Sequence, residues 1–243
     1  AGGASMCSTG SEAAYSPIPA MIDLVISPQS IEMHRFLETW YGPPDLAPAR
    51  TPTDLSWLPP ALQNWHDLSS RWSKDISTTF YLDYPWPEQI EDGRAVFMRD
   101  QGGWEISFLA DSPENLFESS RDGEWEPLNK SLSESLIHAA VLEATMSAAI
   151  RVSARRVTAE KVESITSRLE EIDFAPWKCP GSGKSFMGDG VLVLVKDLSH
   201  SPFPSRRLPG YFTLQAAATH QAKLDHARTV FRAVDDATQQ PPH

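Results

Sequence analysis

The amino-acid sequence predicts an α+β fold in which helices flank a small antiparallel-rich sheet and a C-terminal α+β extension follows. Two observations support this class. Short runs of alternating apolar residues separated by Gly-rich turns occupy residues 91–128, as in antiparallel hairpins. Apolar residues at helical spacing lie on both sides of that region, near residues 28–42, 60–72 and 131–144. Strands and helices are therefore expected in separate blocks, as in α+β folds.

Two helices are expected first. Ser27 can cap a helix that has Pro28 at its first position, and Gly42 ends the apolar stripe of that helix. Residues 43–53 hold four prolines and predict a loop. The second helix is expected over residues 60–72, because its apolar residues share one face.

The sheet begins with a hairpin whose connection is Gln101–Gly103. Alternation predicts one buried face on each strand, formed by Val96 and Met98 on the first and by Trp104, Ile106 and Phe108 on the second. A second strand pair is expected around residues 115–119 and 124–128, joined by a turn at Asp122-Gly123. Trp104 and Trp125 are predicted to be buried.

A helix is expected to cover this sheet as a lid. Ser131 and Glu134 fit a capping box at its start, and its apolar residues form one stripe. Beyond it, the spacing of Val162, Ile165, Leu169 and Ile172 predicts one further helix. Strands are expected at residues 191–195 and 211–216, and a last helix at 221–234.

Composition limits the functional classes. The net charge is −11 and the pI is about 5.0, which disfavours nucleic acid as a partner, because phosphate binding needs clustered Lys and Arg. A basic protein partner suits this charge, although acidity also serves solubility alone. No apolar run reaches the roughly 18 residues of a membrane helix, and no signal peptide with a basic end and an apolar middle follows Met6, so a cytoplasmic protein without membrane contact is expected. Cys7 and Cys179 have no neighbouring His or Cys, so neither a disulfide framework nor a metal site is expected.

Several separated motifs share an order with a known family. They are Leu58-Pro59-Pro60-Ala61-Leu62, Asp100-Gln101-Gly102-Gly103-Trp104, the Trp-containing segment Gly123–Leu128, and Ser131-Leu132-Ser133-Glu134. This order resembles the SUKH superfamily over residues 29–150, with Asp100 where that family usually has Asn. The superfamily includes fungal cell-wall regulators and bacterial immunity proteins.

We expect the chain to be divided into four parts. A SUKH-like core is expected over residues 21–150 and an extension packed on it over residues 151–237. Residues 1–20 are expected to be a disordered lead that opens with a vector remnant, and residues 238–243 a frayed tail.

One motif imitates a nucleotide site. Gly181-Ser182-Gly183-Lys184-Ser185 has the end of a phosphate-binding loop, but Lys178 stands where the first Gly is needed. A helix must follow such a loop, whereas Gly188-Asp189-Gly190 predicts a turn. We therefore expect a flexible loop here. A hydrolase or nucleotide-dependent enzyme using residues 181–185 is the alternative of another class.

No catalytic residue set, cofactor site or metal site is expected, and the preferred interpretation is a protein-binding module. The SUKH resemblance implies an immunity protein that neutralises a cognate bacterial toxin, with a cytoplasmic regulator or scaffold as the alternative. An acidic and aromatic surface is the candidate binding site, since interfaces favour aromatic residues. Its residues are Tyr81, Asp83, Tyr84, Trp86, Glu91, Asp92, Asp100 and Gln101.

Overall fold

The computed structural model describes residues 25–49, 55–82, 90–120, 123–178, 183–201 and 204–225. Helices and two mostly antiparallel sheets make up these residues, which confirms the α+β class. The segments 1–24 and 226–243 lie outside them, so the predicted lead and tail, and most of the last helix, stay predictions. The described residues include only the start of that helix, residues 221–225.

Four α-helices are resolved in full within these ranges. They are α1 (Met33–Tyr41), α2 (Pro60–Ser69), α3 (Leu132–Ser147) and α4 (Ala159–Thr166). The first helix was expected to start at Pro28. A single 3-10 turn, Pro28–Ser30, forms there instead and α1 starts at Met33, because Ile31 and Glu32 are extended. Gly42 ends α1 with a φ of +85°, as expected of glycine.

The first sheet has five strands in the order β2-β3-β4-β5-β6, all antiparallel. They are β2 (Phe80–Leu82), β3 (Arg94–Asp100), β4 (Glu105–Leu109), β5 (Ser112–Ser119) and β6 (Glu126–Leu128). The predicted hairpin at Gln101–Gly103 joins β3 to β4, and Trp104 is buried as predicted, with 2% of its surface exposed.

The predicted alternation in β3 is wrong. A β-bulge between Val96 and Met98 shifts the register against β4, so Phe97 and Met98 are both fully buried. Val96 is partly exposed on the opposite face, together with Arg94. We call the face that carries Met98, Ile106 and Phe108 the inner face of this sheet, and the opposite one its outer face.

The predicted lid helix is instead a central element. Twelve of the residues of α3 are buried, on all sides of the helix. Ser131 Oγ accepts a hydrogen bond from the Glu134 backbone N–H at 3.1 Å, which confirms the N-cap. The Glu143 carboxylate, with 1% of the residue exposed, accepts bonds from the backbone N–H groups of Thr79 and Phe80 and so fastens α3 to β2.

The second sheet has six strands in the order β1-β8-β9-β10-β11-β7, and α3 also packs against β10 and β11. Its strands are β1 (Val25–Ile26), β7 (Arg151–Thr158), β8 (Glu170–Ile172), β9 (Gly183–Gly188), β10 (Val191–Asp197) and β11 (Tyr211–Ala218). The strands predicted at 191–195 and 211–216 are confirmed. The β1 strand pairs in parallel with β8, so the first described residues join the C-terminal sheet.

The helix predicted through residues 162–172 is wrong in its extent. Only α4 is helical, and Ile172 lies on β8, where it pairs with Ser185 of β9. The apolar spacing continues past the end of α4 only by coincidence with β8, because Ile165 packs in one core cluster and Ile172 in the other.

Candidate functional site

The structure brings three of the predicted binding residues together at one end of the five-stranded sheet. Tyr81 lies on the edge strand β2, opposite Arg99, with 45% of its surface exposed. The Gln101 side-chain amide donates a hydrogen bond of 3.3 Å to the Tyr81 hydroxyl. Asp100 accepts a 2.7 Å bond from the Trp104 backbone N–H, so its carboxylate also holds the hairpin turn.

Two other predicted residues lie at the opposite end of β3. Asp92 and Gly93 both have positive φ, at 49° and 74°, in a tight turn closed by paired backbone bonds between Glu91 and Arg94. The seven residues of β3, about 20 Å of extended chain, separate this turn from Asp100. The predicted patch is therefore divided between two ends of one strand. Asp83, Tyr84 and Trp86 lie outside the described residues.

An aromatic platform on the outer face lies between these two ends. Trp125 is partly exposed, so the prediction that it is buried is wrong. It lies with Phe117 beneath the Arg94 guanidinium, whose carbon is 4.8 Å from the Phe117 ring centre and 6.0 Å from that of Trp125. We call Arg94, Phe117 and Trp125 the aromatic platform.

Two open cavities border the platform. One of about 460 Å³ is lined by Trp125, by the acidic residues Glu91, Asp92 and Glu105, and by Arg94 and Arg99, of which Arg99 forms an ion pair with Glu105 at 3.6 Å. The other, of about 610 Å³, follows β5 and β6 and is lined by Phe117. The first cavity thus joins the aromatic platform to the predicted residues Glu91 and Asp92.

Phe117 was missed by the reading of the sequence, although a signal was present. Leu116 and Phe117 are adjacent on β5, and neighbouring residues of a strand point to opposite faces. Leu116 is buried on the inner face, so Phe117 must lie on the outer one.

A polar cluster in the interior was also missed. Lys130 follows β6 and has only 7% of its surface exposed. Its Nζ lies 2.5 Å from Nδ1 of His138 on α3, and 4.4 Å from the centre of the Trp177 ring. The His138 ring is stacked between Phe174 and Trp177, with both ring centres 4.0 Å away.

Burial governs the ionisation of this pair. It lowers the pKa of Lys130 to about 7, against the opposing attraction of the Glu134 and Glu118 carboxylates. Burial, and then the charge of Lys130, hold the pKa of His138 well below its usual range. A protonated Lys130 can only donate, so His138 accepts at Nδ1 and carries its own proton on Nε2.

The same cluster fastens the segment 174–178 across the core. Glu134 accepts a 3.1 Å bond from the Ala175 N–H, and Glu118 accepts bonds from the Lys178 N–H and from the Trp104 indole at 3.1 and 3.2 Å. Trp177 is thereby held against Trp104, with ring centres 5.2 Å apart. The cluster joins α3, the five-stranded sheet and the segment before β9.

No family model matches the chain, and no curated protein or solved structure does so either. The SUKH resemblance accordingly stays a prediction.

Within the described ranges, no group of three or more His, Cys, Asp or Glu side chains is arranged to hold a metal ion. None of the helices in the same part of the chain has the length and apolar character needed to cross a bilayer.

The loop expected at Gly183–Ser185 is wrong, since these residues open strand β9. Lys184 pairs across the sheet with Glu171, at 3.0 Å, and Ser185 is buried opposite Leu194. A phosphate-binding loop requires a helix directly after its Lys and Ser, and here a strand takes that place. Gly181 and Ser182 lie outside the described residues.

We expect Lys184→Ala to leave partner binding unchanged and to lower the free energy of unfolding by less than about 1 kcal/mol, as for an exposed ion pair. Urea denaturation and a titration with ATP and GTP check this. Micromolar nucleotide binding that disappears in the variant would contradict it.

Proposed function

We propose that this chain is a protein-binding module that engages a basic partner protein through the outer face of its five-stranded sheet. The single observation that carries the proposal is the aromatic platform, in which Phe117 and Trp125 remain partly exposed beside the acidic residues Glu91 and Asp92. Large aromatic and Arg side chains supply most of the binding energy at protein interfaces.

Charge supports a basic partner. Residues 1–150 hold 22 acidic and 8 basic side chains, whereas residues 151–243 hold 10 and 13. The acidic excess therefore belongs to the part of the sequence that contains the five-stranded sheet. Such an excess accelerates encounter with a basic surface, and the acceleration weakens as salt is added.

We further propose that the partner is a toxin and the chain its immunity protein, in line with the SUKH resemblance. Toxins that act on nucleic acid have basic active-site clefts, which an acidic inhibitor can cover. A regulator or scaffold is the alternative. A pull-down with this chain from the source cell would identify the partner that it retains. A toxin as that partner, or a toxin gene beside the gene of this chain, would distinguish an immunity protein from a regulator or scaffold.

The binding surface is tested with the retained partner by surface plasmon resonance. We expect Trp125→Ala to raise the dissociation rate about 30-fold, if the ring contributes about 2 kcal/mol as an anchor. Tyr81→Ala is expected to act in the same direction. The matched control is Tyr211→Ala, because Tyr211 is 40% exposed on the other sheet.

Charge is tested with a second matched pair. Asp92 and Asp189 each precede a glycine in a turn with positive φ, so Asn suits both positions. Asp92→Asn is expected to slow association and reduce its salt dependence, whereas Asp189→Asn leaves both nearly unchanged. If Trp125→Ala and Asp92→Asn bind like the wild type, the partner uses another face.

A further inference from the structure

The edge strand β7 differs in charge from the rest of this acidic molecule. It carries Arg151, Arg155 and Arg156, all exposed, and no carboxylate. Among the described residues, no ion pair involves any of the three. The second sheet therefore ends in a basic strand.

Among the described residues, the backbone of β7 is paired with a strand on one side only. It pairs with β11, and no other strand of the described chain pairs with it. In an antiparallel pair, alternate residues direct their N–H and C=O groups away from the partner. The register with β11 is regular from Arg151 to Ala154. A bulge follows at Arg155 and Arg156, and Arg156 has a φ of +57°. A free edge of this kind is the template for adding a strand.

The arginines determine which strand fits. Arginine on an edge discourages pairing with the same edge of a second copy, because like charges would lie opposite each other. The same side chains favour a strand with carboxylates, which accept bidentate bonds from guanidinium groups. The edge of β7 therefore disfavours pairing with the same edge of a second copy and favours pairing with an acidic segment.

A cavity of about 320 Å³ lies beside the start of β7 and is lined by Arg151 and by Gln215 of β11. In the described chain, the buried Gln215 Oε1 has no hydrogen-bond partner. Arg151 uses one guanidinium nitrogen on the Met146 carbonyl, at 2.6 Å, and retains further donors. Arg151, rather than Gln215, can therefore donate to a carboxylate of an added strand at this position.

We propose that β7 binds an extended acidic segment of a partner protein, which adds to the six-stranded sheet as a seventh strand. The segment pairs with β7 from Arg151 to Ala154, and its carboxylates face Arg151 and, at the first residue of the bulge, Arg155. This surface lies on the other sheet from the aromatic platform, so it does not depend on the function proposed above.

The proposal is tested on the full chain by fluorescence anisotropy. The probe is a labelled peptide of about seven residues in which Glu and Thr alternate, and a Lys-for-Glu peptide is its control. We expect saturable binding of the acidic peptide alone. Arg155→Glu should weaken that binding at least about tenfold.

The matched control is Arg168→Glu, which makes the same charge change next to β8. Because β8 lies four strands from β7, the two sites are about 19 Å apart. We expect less than a twofold effect there. Equal losses in both variants would show general charge attraction and overturn the proposal.

Two N-methylated peptides separate strand addition from charge alone. One carries methyl groups on its odd-numbered amides and the other on its even-numbered amides, so only one set faces β7. We expect one peptide to lose binding and the other to keep it. Strand addition would be refuted if the two methylated peptides bound equally or if the unmethylated peptide did not bind. It would also be refuted if sedimentation showed a second copy of the chain on this edge that the peptide did not displace.

Discussion

Phe108→Ala is expected to lower the free energy of unfolding by about 3 to 5 kcal/mol, the usual cost of emptying a packed aromatic site. Phe108 lies on the inner face of the five-stranded sheet with 1% of its surface exposed. Its ring centre is 6.1 Å from that of Trp57 and 6.0 Å from that of Phe97, so truncation leaves two aromatic neighbours beside a void. Neither neighbour can fill that void without leaving its own packing position.

Urea denaturation followed by tryptophan fluorescence measures this loss. The slope with denaturant should stay unchanged, since the folded state remains compact. Phe108→Leu is the control, because it keeps most of the volume and should cost clearly less. A loss below about 1 kcal/mol in the Ala variant would show that the core at β4 is loosely packed.

Lys130→Met is expected to stabilise the protein at pH 7, by about 1 to 3 kcal/mol. The pKa of Lys130 is about 7 in the folded chain and about 10.4 when unfolded, and each unit corresponds to 1.36 kcal/mol. The full difference sets an upper limit near 4 to 5 kcal/mol on the cost of burying this cation. The net gain is smaller, because Met leaves Nδ1 of His138 without its partner.

The sign of the pH dependence identifies the cause. Between pH 7 and about 10, the unfolded chain binds the proton of Lys130 and the folded chain has released it, so wild-type stability rises with pH. This rise should be reduced in Lys130→Met. It should persist in Lys184→Met, whose lysine is exposed on β9. Denaturation curves at several pH values check both, and equal slopes in all three proteins would contradict this role of Lys130.

Local sequence signals were sufficient for part of the fold. The β3–β4 hairpin, the Ser131 cap of α3 and strands β10 and β11 each have a short apolar period or a turn signal within their own residues. Strand β7 keeps such a period only as far as Arg155, because its bulge places Arg155 and Arg156 side by side and both are exposed. The two residues of β1 form a strand only because β8 lies beside them. The sequence Val25–Ile26 contains no signal that predicts pairing with a strand so distant in the chain.

The candidate site was predicted in the same partial way. The hairpin tip at Gln101 was predicted because turn chemistry is local. Asp92 was chosen for its charge alone, and the turn that holds it, like its separation from Gln101, follows from where β3 begins and ends. Lys130 could not be predicted, because lysine is almost never buried and only the fold brings His138 to it.

The pairing of β1 with β8 affects how the protein can be made. Residues 26 and 172 become neighbours only in the finished sheet, so a ribosome must synthesise about 146 further residues before Ile26 meets its partner. At about 5 to 20 residues per second, this takes roughly 7 to 30 seconds. When residue 172 has been added, β10 and β11, which pack against α3, still have to be synthesised. We expect the nascent chain to expose part of this apolar helix until those strands follow, and transiently exposed apolar surface of this kind favours chaperone binding.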